Sequence, residues 1–300
     1  MEFNFLKVVL TLELKADIAD PYLLFEIRRD FAEAFRRAVG CRRPQCTPCE
    51  NAAECPYRQV FSQDMLSDPT VLRRFQKPPL PFVFDLPLLP SAPNSGEQCE
   101  IGLVLAGIAA NYVRHFLAAV TALVEGPASP LSRLFSLEMM ETCDHSGNRQ
   151  LIARRGEKPL LDRFFIIAMD DLAKEPDIPA HEVKLTFITP LRIIKDGHPL
   201  RELTFSSLAM ALLRRMSAIA FYYCYLDLDL EYKLLSMQSR EIGISARGLK
   251  WIDWGKNLGG IMGSATFTGN LADFHSLLLF GQYFHAGKGS AYGLGRYRLG

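Results

Sequence analysis

Hydrophobic and mixed positions alternate from Leu6 through Val8, Leu10 and Leu12 to Leu14, the period-two signature of a half-buried strand. Asp20-Pro21 then offers an N-cap and a first-turn proline. From Tyr22 to Val39 the period lengthens. Leu24, Ile27, Phe31, Ala34 and Phe35 recur three or four apart, as on one face of a helix, and Gly40 supplies its end. Residues 41–56 read as a cysteine-rich loop. Residues 66–98 carry seven prolines and leave room only for short edge strands such as Phe82–Asp85. Cys99–Leu105 is a strand by pattern and Ile108–Val124 a helix. Strands over Arg133–Cys143 and Arg149–Arg154 flank the turn Asp144-His-Ser-Gly-Asn148.

After a linker-like stretch, Glu175-Pro-Asp-Ile-Pro179, the same order begins again. Val183, Leu185 and Phe187 alternate as a strand. Thr204–Tyr225 is a helix with Leu208, Leu212, Met216, Ile219 and Tyr223 along one stripe. Strands over Glu241–Trp254 and Gly260–Thr268 follow. Asn270 or Asp273 caps a helix reaching Phe284, and Leu294–Leu299 closes the chain as a strand. Each half therefore reads β-α-β-β-α-β, the ferredoxin-like arrangement of two helices on one face of an antiparallel sheet. The predicted fold class is α+β, with two tandem ferredoxin-like domains. They span residues 1–172, with the cysteine-rich insertion 41–56, and 178–300. Such sheets serve many functions, so the fold alone decides none.

Composition changes this picture little. The chain has 300 residues, 49% of them hydrophobic and 22% charged, which suits a globular chain with real cores. The formal net charge is only +1, so a nucleic-acid binder of this balance has to localise its cations. Three runs do so: Arg28, Arg29, Arg36, Arg37, Arg42 and Arg43; then Arg149, Arg154, Arg155 and Lys158; then the C-terminal segment. A solvated helix or loop face is the plainer reading of any single run. Glu2 follows the first residue at once, with no basic start, so no signal peptide is expected. The apolar stretch Ile101–Val124 is broken by Asn111, Arg114 and His115 and reads as strand plus helix, not a membrane span. A cytoplasmic chain with no membrane partner is the expectation. Its seven cysteines then point to thiols or metal, not disulfides.

The segment from His285 to Gly300 carries the chemistry. Gly287, Gly289, Gly293 and Gly295 alternate with Lys288, Arg296 and Arg298, and no acidic residue interrupts them. Glycines that admit positive φ, interleaved with cations, suit a phosphate-bearing partner. A dinucleotide fingerprint needs a helix after the glycines, and a P-loop needs Gly-Lys-Ser/Thr opening one. Neither is present, which leaves an extended sugar-phosphate backbone, or a purely structural turn.

Phe280-Gly-Gln-Tyr-Phe-His285 and the glycine loop after it resemble the C-terminal signature of the endoribonucleases that process CRISPR repeat RNA. These belong to the RAMP superfamily and form the sixth family of CRISPR-associated proteins. Lys184-Leu-Thr-Phe-Ile-Thr-Pro-Leu-Arg-Ile193 and Leu249-Lys-Trp-Ile-Asp-Trp254 resemble the branch with a distinctive C-terminal domain. The resemblance covers the second half well and the first half loosely. It implies two ferredoxin-like domains and one cut per repeat of a long CRISPR transcript. The cut is metal-independent: the ribose 2′-OH attacks the adjacent phosphate, leaving a 2′,3′-cyclic phosphate and a 5′-OH. Repeat RNA is the implied partner, with CRISPR effector subunits and a homodimer as further candidates. The alternative from another class is a RAMP protein that binds crRNA in an effector complex without cutting. A third is a metal-stapled α+β protein with a small-molecule ligand.

In-line attack by a 2′-OH needs a proton acceptor, a donor for the leaving oxygen and cations on the phosphate. The family often places a catalytic histidine just after its first helix, and residues 22–60 of this chain contain none. His285, at the border of the glycine loop, is the leading candidate, with Lys288 for the phosphate and Tyr292 to position or exchange a proton. A helix-end histidine that merely caps carbonyls is the competing reading. His115 reads as packed at the core edge. RNA binding is assigned to Gly287, Gly289, Gly293, Gly295, Arg296 and Arg298.

Cys41-x4-Cys46-x2-Cys49-x5-Cys55 gathers four thiols within a short loop. Tetrahedral thiolate sites suit Zn²⁺ or an iron–sulfur cluster. Structural zinc is the first expectation, a cluster the second and a vacant loop the third, in each case a staple and not a catalytic centre. Cys99, Cys143 and Cys224 fall within apolar elements and read as buried thiols.

Overall fold

The first alternating segment becomes the centre of a sheet. In the computed structural model, which describes residues 2–18, 20–42, 46, 49–65, 77–89, 94–127, 129–172, 179–255 and 258–300, strand β1 spans Asn4–Leu14. Two compact units are formed. One is Asn4–Ile167; the other is Ala168–Gly300 together with the short leading segment that contains Phe3. The linker-like residues 175–178 lie outside the described residues, as do Arg43 and Pro44 of the cysteine-rich loop.

In the first unit, β2 (Phe82–Asp85), β3 (Gln98–Ala106), β4 (Phe135–Cys143) and β5 (Arg149–Arg154) join β1 in the order β2-β3-β1-β4-β5, and β6 (Ile167–Ala168) pairs with β1. All neighbours on that path are antiparallel. β1 is central, so Phe5 and Val9 are buried on one face while Val8, Leu10 and Leu12 are buried on the other. Helices α1 (Ile27–Ala38) and α3 (Val113–Glu125) pack together; α2 (Pro56–Phe61), a short helix that starts where the cysteine-rich segment 41–56 ends, comes between them in the chain. Phe31 of α1 meets Phe84 at 4.7 Å between ring centroids, and Phe35 meets Phe116 of α3 at 4.7 Å. Edge-on aromatic pairs of this kind add about 0.5–1.5 kcal/mol to the burial of each ring.

Asp20 starts the first helical segment as expected, its carboxylate accepting from the Tyr22 N–H at 2.9 Å. The Asp144 turn also forms: Asn148 donates to the Asp144 carboxylate from its backbone at 2.8 Å and from its side chain at 2.9 Å. Gly107–Glu125 is long and apolar enough to cross a membrane by length and composition. Here it turns Val113, Phe116, Leu117 and Val120 into the unit's core.

The second unit repeats the plan. β7 (Glu182–Leu191), β10 (Gly243–Asp253), β11 (Gly259–Thr268) and β12 (Tyr297–Leu299) pair in the order β10-β11-β7-β12. A small hairpin, β8 (Ile194–Lys195) and β9 (His198–Pro199), follows β7. α4 (Phe205–Cys224) opens with a capping box, Thr204 Oγ1 accepting from the Ser207 N–H at 3.1 Å and Ser207 Oγ from the Thr204 N–H at 3.2 Å. Its predicted stripe, Leu208 to Tyr223, is buried. α5 (Tyr232–Glu241) was not legible: it buries only Ser239, so no apolar period marks it. α6 (His275–Phe284) leads to the glycine loop. In each sheet the first strand of the unit lies inside, between the strands that precede and follow α3 in the first unit and α6 in the second (β3 and β4 around β1, β11 and β12 around β7), the ferredoxin-like order in antiparallel form, with β5 added at the edge of the first sheet. The fold class is therefore the one expected.

The last strand is shorter than expected. Pairing with β7 begins at Tyr297; Gly295, two residues earlier, has φ +70°, far from the regular strand value. Residues 294–296 belong to the loop instead.

Candidate nucleic-acid interface

Everything between α6 and β12 is one folded loop, and glycine is what allows it. Gly287, Gly289, Gly293 and Gly295 all have positive φ, between +70° and +88°. At Gly287 a Cβ would stand 2.5 Å from the Arg192 carbonyl oxygen; at Gly295 it would stand 1.8 Å from that of Ala286. A side chain at either position breaks the loop.

The loop is pinned to the end of β7. Lys288 N–H donates to the Arg192 carbonyl at 2.7 Å and Gly295 N–H to the Pro190 carbonyl at 3.0 Å. Ala286 N–H donates to Gly295 across the loop at 3.0 Å. Thr189, on β7, donates its hydroxyl to the Gly293 carbonyl and accepts the Arg296 N–H. The amides of 292–295 are likewise engaged within the protein. The glycines thus build the loop first, and what it offers to solvent is largely its side chains. Gly293 and Gly295 are buried and Gly289 is exposed; Lys288 and Arg298 are exposed, Arg296 and Tyr292 half-buried. Neither Lys288 nor Arg298 forms an ion pair among the described residues.

His285 lies behind this surface. It is 1% exposed, and its backbone has φ 55° and ψ 170°, a region close to glycine-only. Its N–H donates to the Gly281 carbonyl at 2.9 Å. Directly beside it, Arg215 of α4 donates from Nε to the Phe284 carbonyl at 2.9 Å, placing a cation at the C-terminal end of α6. Burial pushes the Arg215 guanidinium down to about 10. Sequence pattern gave no sign of Arg215, which sits on a helix otherwise read for its apolar stripe.

The basic runs of the first unit look different. Arg29 pairs with Glu26 at 3.1 Å, Arg36 and Arg37 both reach Glu33, and Arg155 reaches Glu138 at 3.1 Å. Arg149 grips Glu100 through both guanidinium nitrogens, at 2.5 and 2.9 Å. Those cations are largely answered by neighbouring carboxylates. His115, on α3, is half-buried with its ring 6.1 Å from that of Phe35 and 6.3 Å from that of Tyr112. Burial, then the Arg114 charge, lower its pKa from the usual 6.5.

Cys41, Cys46, Cys49 and Cys55 are all half-buried and not joined in disulfides. The Cys46 thiol is raised above 9.0, first by burial and then by Cys55, Cys41 and Cys49, so the four share one neighbourhood. Among the described residues, however, no group of three or more His, Cys, Asp or Glu side chains is gathered at metal-holding geometry. The metal expectation therefore has no formed site behind it. Of the remaining cysteines, Cys143 and Cys224 are buried as expected, while Cys99 is half-buried with its thiol pushed up to about 11 by burial.

The chain is thus built of two tandem ferredoxin-like units, the second ending in a pinned glycine loop with exposed cations. Residues 185–297 match the family model for the CRISPR-associated endoribonuclease Cas6, and residues 3–163 match AF_1859_N, a model described as an N-terminal domain. The second half of the chain therefore carries the domain of the CRISPR-associated Cas6 endoribonucleases. Among solved structures, a Cas6 (TTHA0078) product complex is similar over 99% of both chains, with 16% identity and a TM-score of 0.57. Thermus thermophilus Cas6 (TTHB231) is similar over 100% of this chain and 99% of its own, with 16% identity and a TM-score of 0.56. A partial Cas6-RT-Cas1--Cas2 complex covers all of this chain with 46% of its own, at 15% identity and a TM-score of 0.58. No curated protein matches the sequence.

Proposed function

We propose that this endoribonuclease cuts CRISPR repeat RNA without a metal ion, by attack of a ribose 2′-OH on the adjacent phosphate, and that the glycine loop holds the RNA backbone. The observation that carries the loop's part is the pair of exposed cations, Lys288 and Arg298, on a backbone fixed by hydrogen bonds to β7. Lys288 stabilises the phosphate, Arg296 and Arg298 extend the contact along the chain, and Tyr292 positions or exchanges a proton. His285 is assigned to proton transfer. Because the ring is buried, this role requires the backbone at 285–289 to shift when RNA binds; the strained backbone at His285, kept where glycine would fit without strain, supports a role for the side chain.

Incubation of the protein with repeat RNA in EDTA tests this reading. A single-site product ending in a 2′,3′-cyclic phosphate, with a 5′-OH on the other fragment, is expected. A requirement for divalent metal overturns the mechanism. Lys288→Ala should weaken RNA binding and lower the salt slope by about 0.7, the share of one phosphate contact on a single strand. Binding without any cut would instead favour the non-catalytic crRNA-holding reading.

The four-cysteine loop is proposed to take structural zinc, with an iron–sulfur cluster second. Support comes from the spacing and from the mutual influence of the thiols on Cys46. CRISPR effector proteins are the proposed protein partners, since a similar chain occurs in a complex described as Cas6-RT-Cas1--Cas2.

A further inference from the structure

β10 is the edge strand of the second sheet and is exposed along most of its length. Near its end Trp251 lies opposite Ile261 of β11, and Ile261 lies opposite Leu191 of β7. Next to Leu191, the Pro190 carbonyl accepts the Gly295 N–H. The register therefore sets Trp251, Ile261, Leu191 and the glycine loop in one row across the same end of the sheet. Three strand spacings of about 4.8 Å place Trp251 about 14 Å from the loop backbone. Directly opposed residues share a face, so Trp251 lies on the face where Ile261 and Leu191 are buried. At the edge strand that cover thins out, and Trp251 is half-exposed.

Over its ring lies Arg201, with the guanidinium carbon 3.7 Å from the ring centroid. Arg201 is exposed and forms no ion pair among the described residues, and the neighbouring Lys250 is exposed as well. A bare cation–π pair at an exposed site contributes only about 0.5–1 kcal/mol, enough to tie the segment after β9 to β10. The arrangement offers more than a tie. A guanidinium carried this close over an indole keeps its charge and donors, and its planar group has a second side on which a further ring can stack. Unpaired bases stack on such faces, and proteins that hold single strands combine cations for the backbone with flat platforms for the bases.

We propose that Arg201 and Trp251 form a stacking station for an unpaired nucleotide of the RNA whose backbone is held by the glycine loop. This rests on the loop reading above. The station contributes affinity by stacking and tolerates different bases.

The test uses the full chain and repeat RNA carrying 2′-deoxyribose at its cut position, so that binding is read without cleavage. In a Trp254→Phe background, RNA should quench the Trp251 fluorescence. Arg201→Ala and Trp251→Ala should each weaken binding by about 5- to 100-fold, the range of one stacked base. Arg201→Lys keeps the charge and loses the plane, so it should remain weak, whereas Trp251→Phe should bind nearly as wild type. Should Trp251→Ala not fold, the two Arg201 variants carry the test. Full affinity in Arg201→Lys, or unchanged binding in Arg201→Ala beside a weakened Lys288→Ala, overturns the station and leaves the loop reading intact. Unchanged binding in Lys288→Ala and Arg201→Ala together overturns both.

Discussion

The Thr189 hydroxyl donates to the Gly293 carbonyl at 2.7 Å while its oxygen accepts the Arg296 N–H at 2.9 Å. Thr189 is fully buried, so this one side chain satisfies two loop groups, the buried Gly293 carbonyl and the part-buried Arg296 N–H. Thr189→Val keeps the shape and leaves both groups unpaired, at about 1–3 kcal/mol for each buried group. Lower thermal stability and weaker repeat-RNA binding are expected, with Thr189→Ser close to wild type. Equal melting temperatures for wild type and Thr189→Val would show that the loop does not depend on this bond.

The strain at His285 gives a second prediction. A non-glycine residue at φ 55° and ψ 170° carries about 1–3 kcal/mol that glycine does not. His285→Gly should therefore melt higher than wild type by several degrees, while its single-turnover cleavage rate falls at least tenfold. A variant both more stable and fully active would mean that the imidazole has no part in the chemistry.

His115 makes stability depend on pH. Its folded pKa lies below the unfolded value of 6.5, through burial and then Arg114. As pH falls through 6.5 the unfolded chain takes up the proton first, so the neutral ring's contribution is present above 6.5 and lost below it. Urea midpoints measured between pH 5 and 8 should fall on the acid side in wild type, and fall less in His115→Phe. Parallel curves would remove His115 as the source.

Zinc and alkylation together test the cysteine loop. Without metal, Cys46 should react with iodoacetamide more slowly than Cys41, Cys49 or Cys55 at pH 8, because burial and the neighbouring thiols hold it protonated. Stoichiometric zinc should protect all four and raise the melting temperature. Metal analysis of protein purified without air, finding neither zinc nor iron, would return the loop to a set of free thiols.

Much of the fold was legible because its elements bury continuous apolar faces. The alternation from Leu6 to Leu14 and the stripe from Leu208 to Tyr223 each mark one element and one buried side. Elements without such a face were not. α2 is a short helix after a proline, and α5 buries a single serine, so neither leaves a period to read.

The candidate site divides in the same way. Sequence by itself determined that a glycine-rich, acid-free segment with three cations follows α6, and that its residues resemble those of an RNA-processing family, because spacing and residue type are local properties. Tertiary structure decided what that segment presents. It turned the backbone amides of Lys288, Gly295 and Arg296 inward to Arg192, Pro190 and Thr189, left the Lys288 and Arg298 side chains outside, and buried His285 beside Arg215. It also closed Arg149 on Glu100 and laid Arg201 on Trp251. Those outcomes depend on strand register and on which backbone carbonyls the loop meets. Both are fixed by contacts between residues about 50 to 100 positions apart, which no local pattern records.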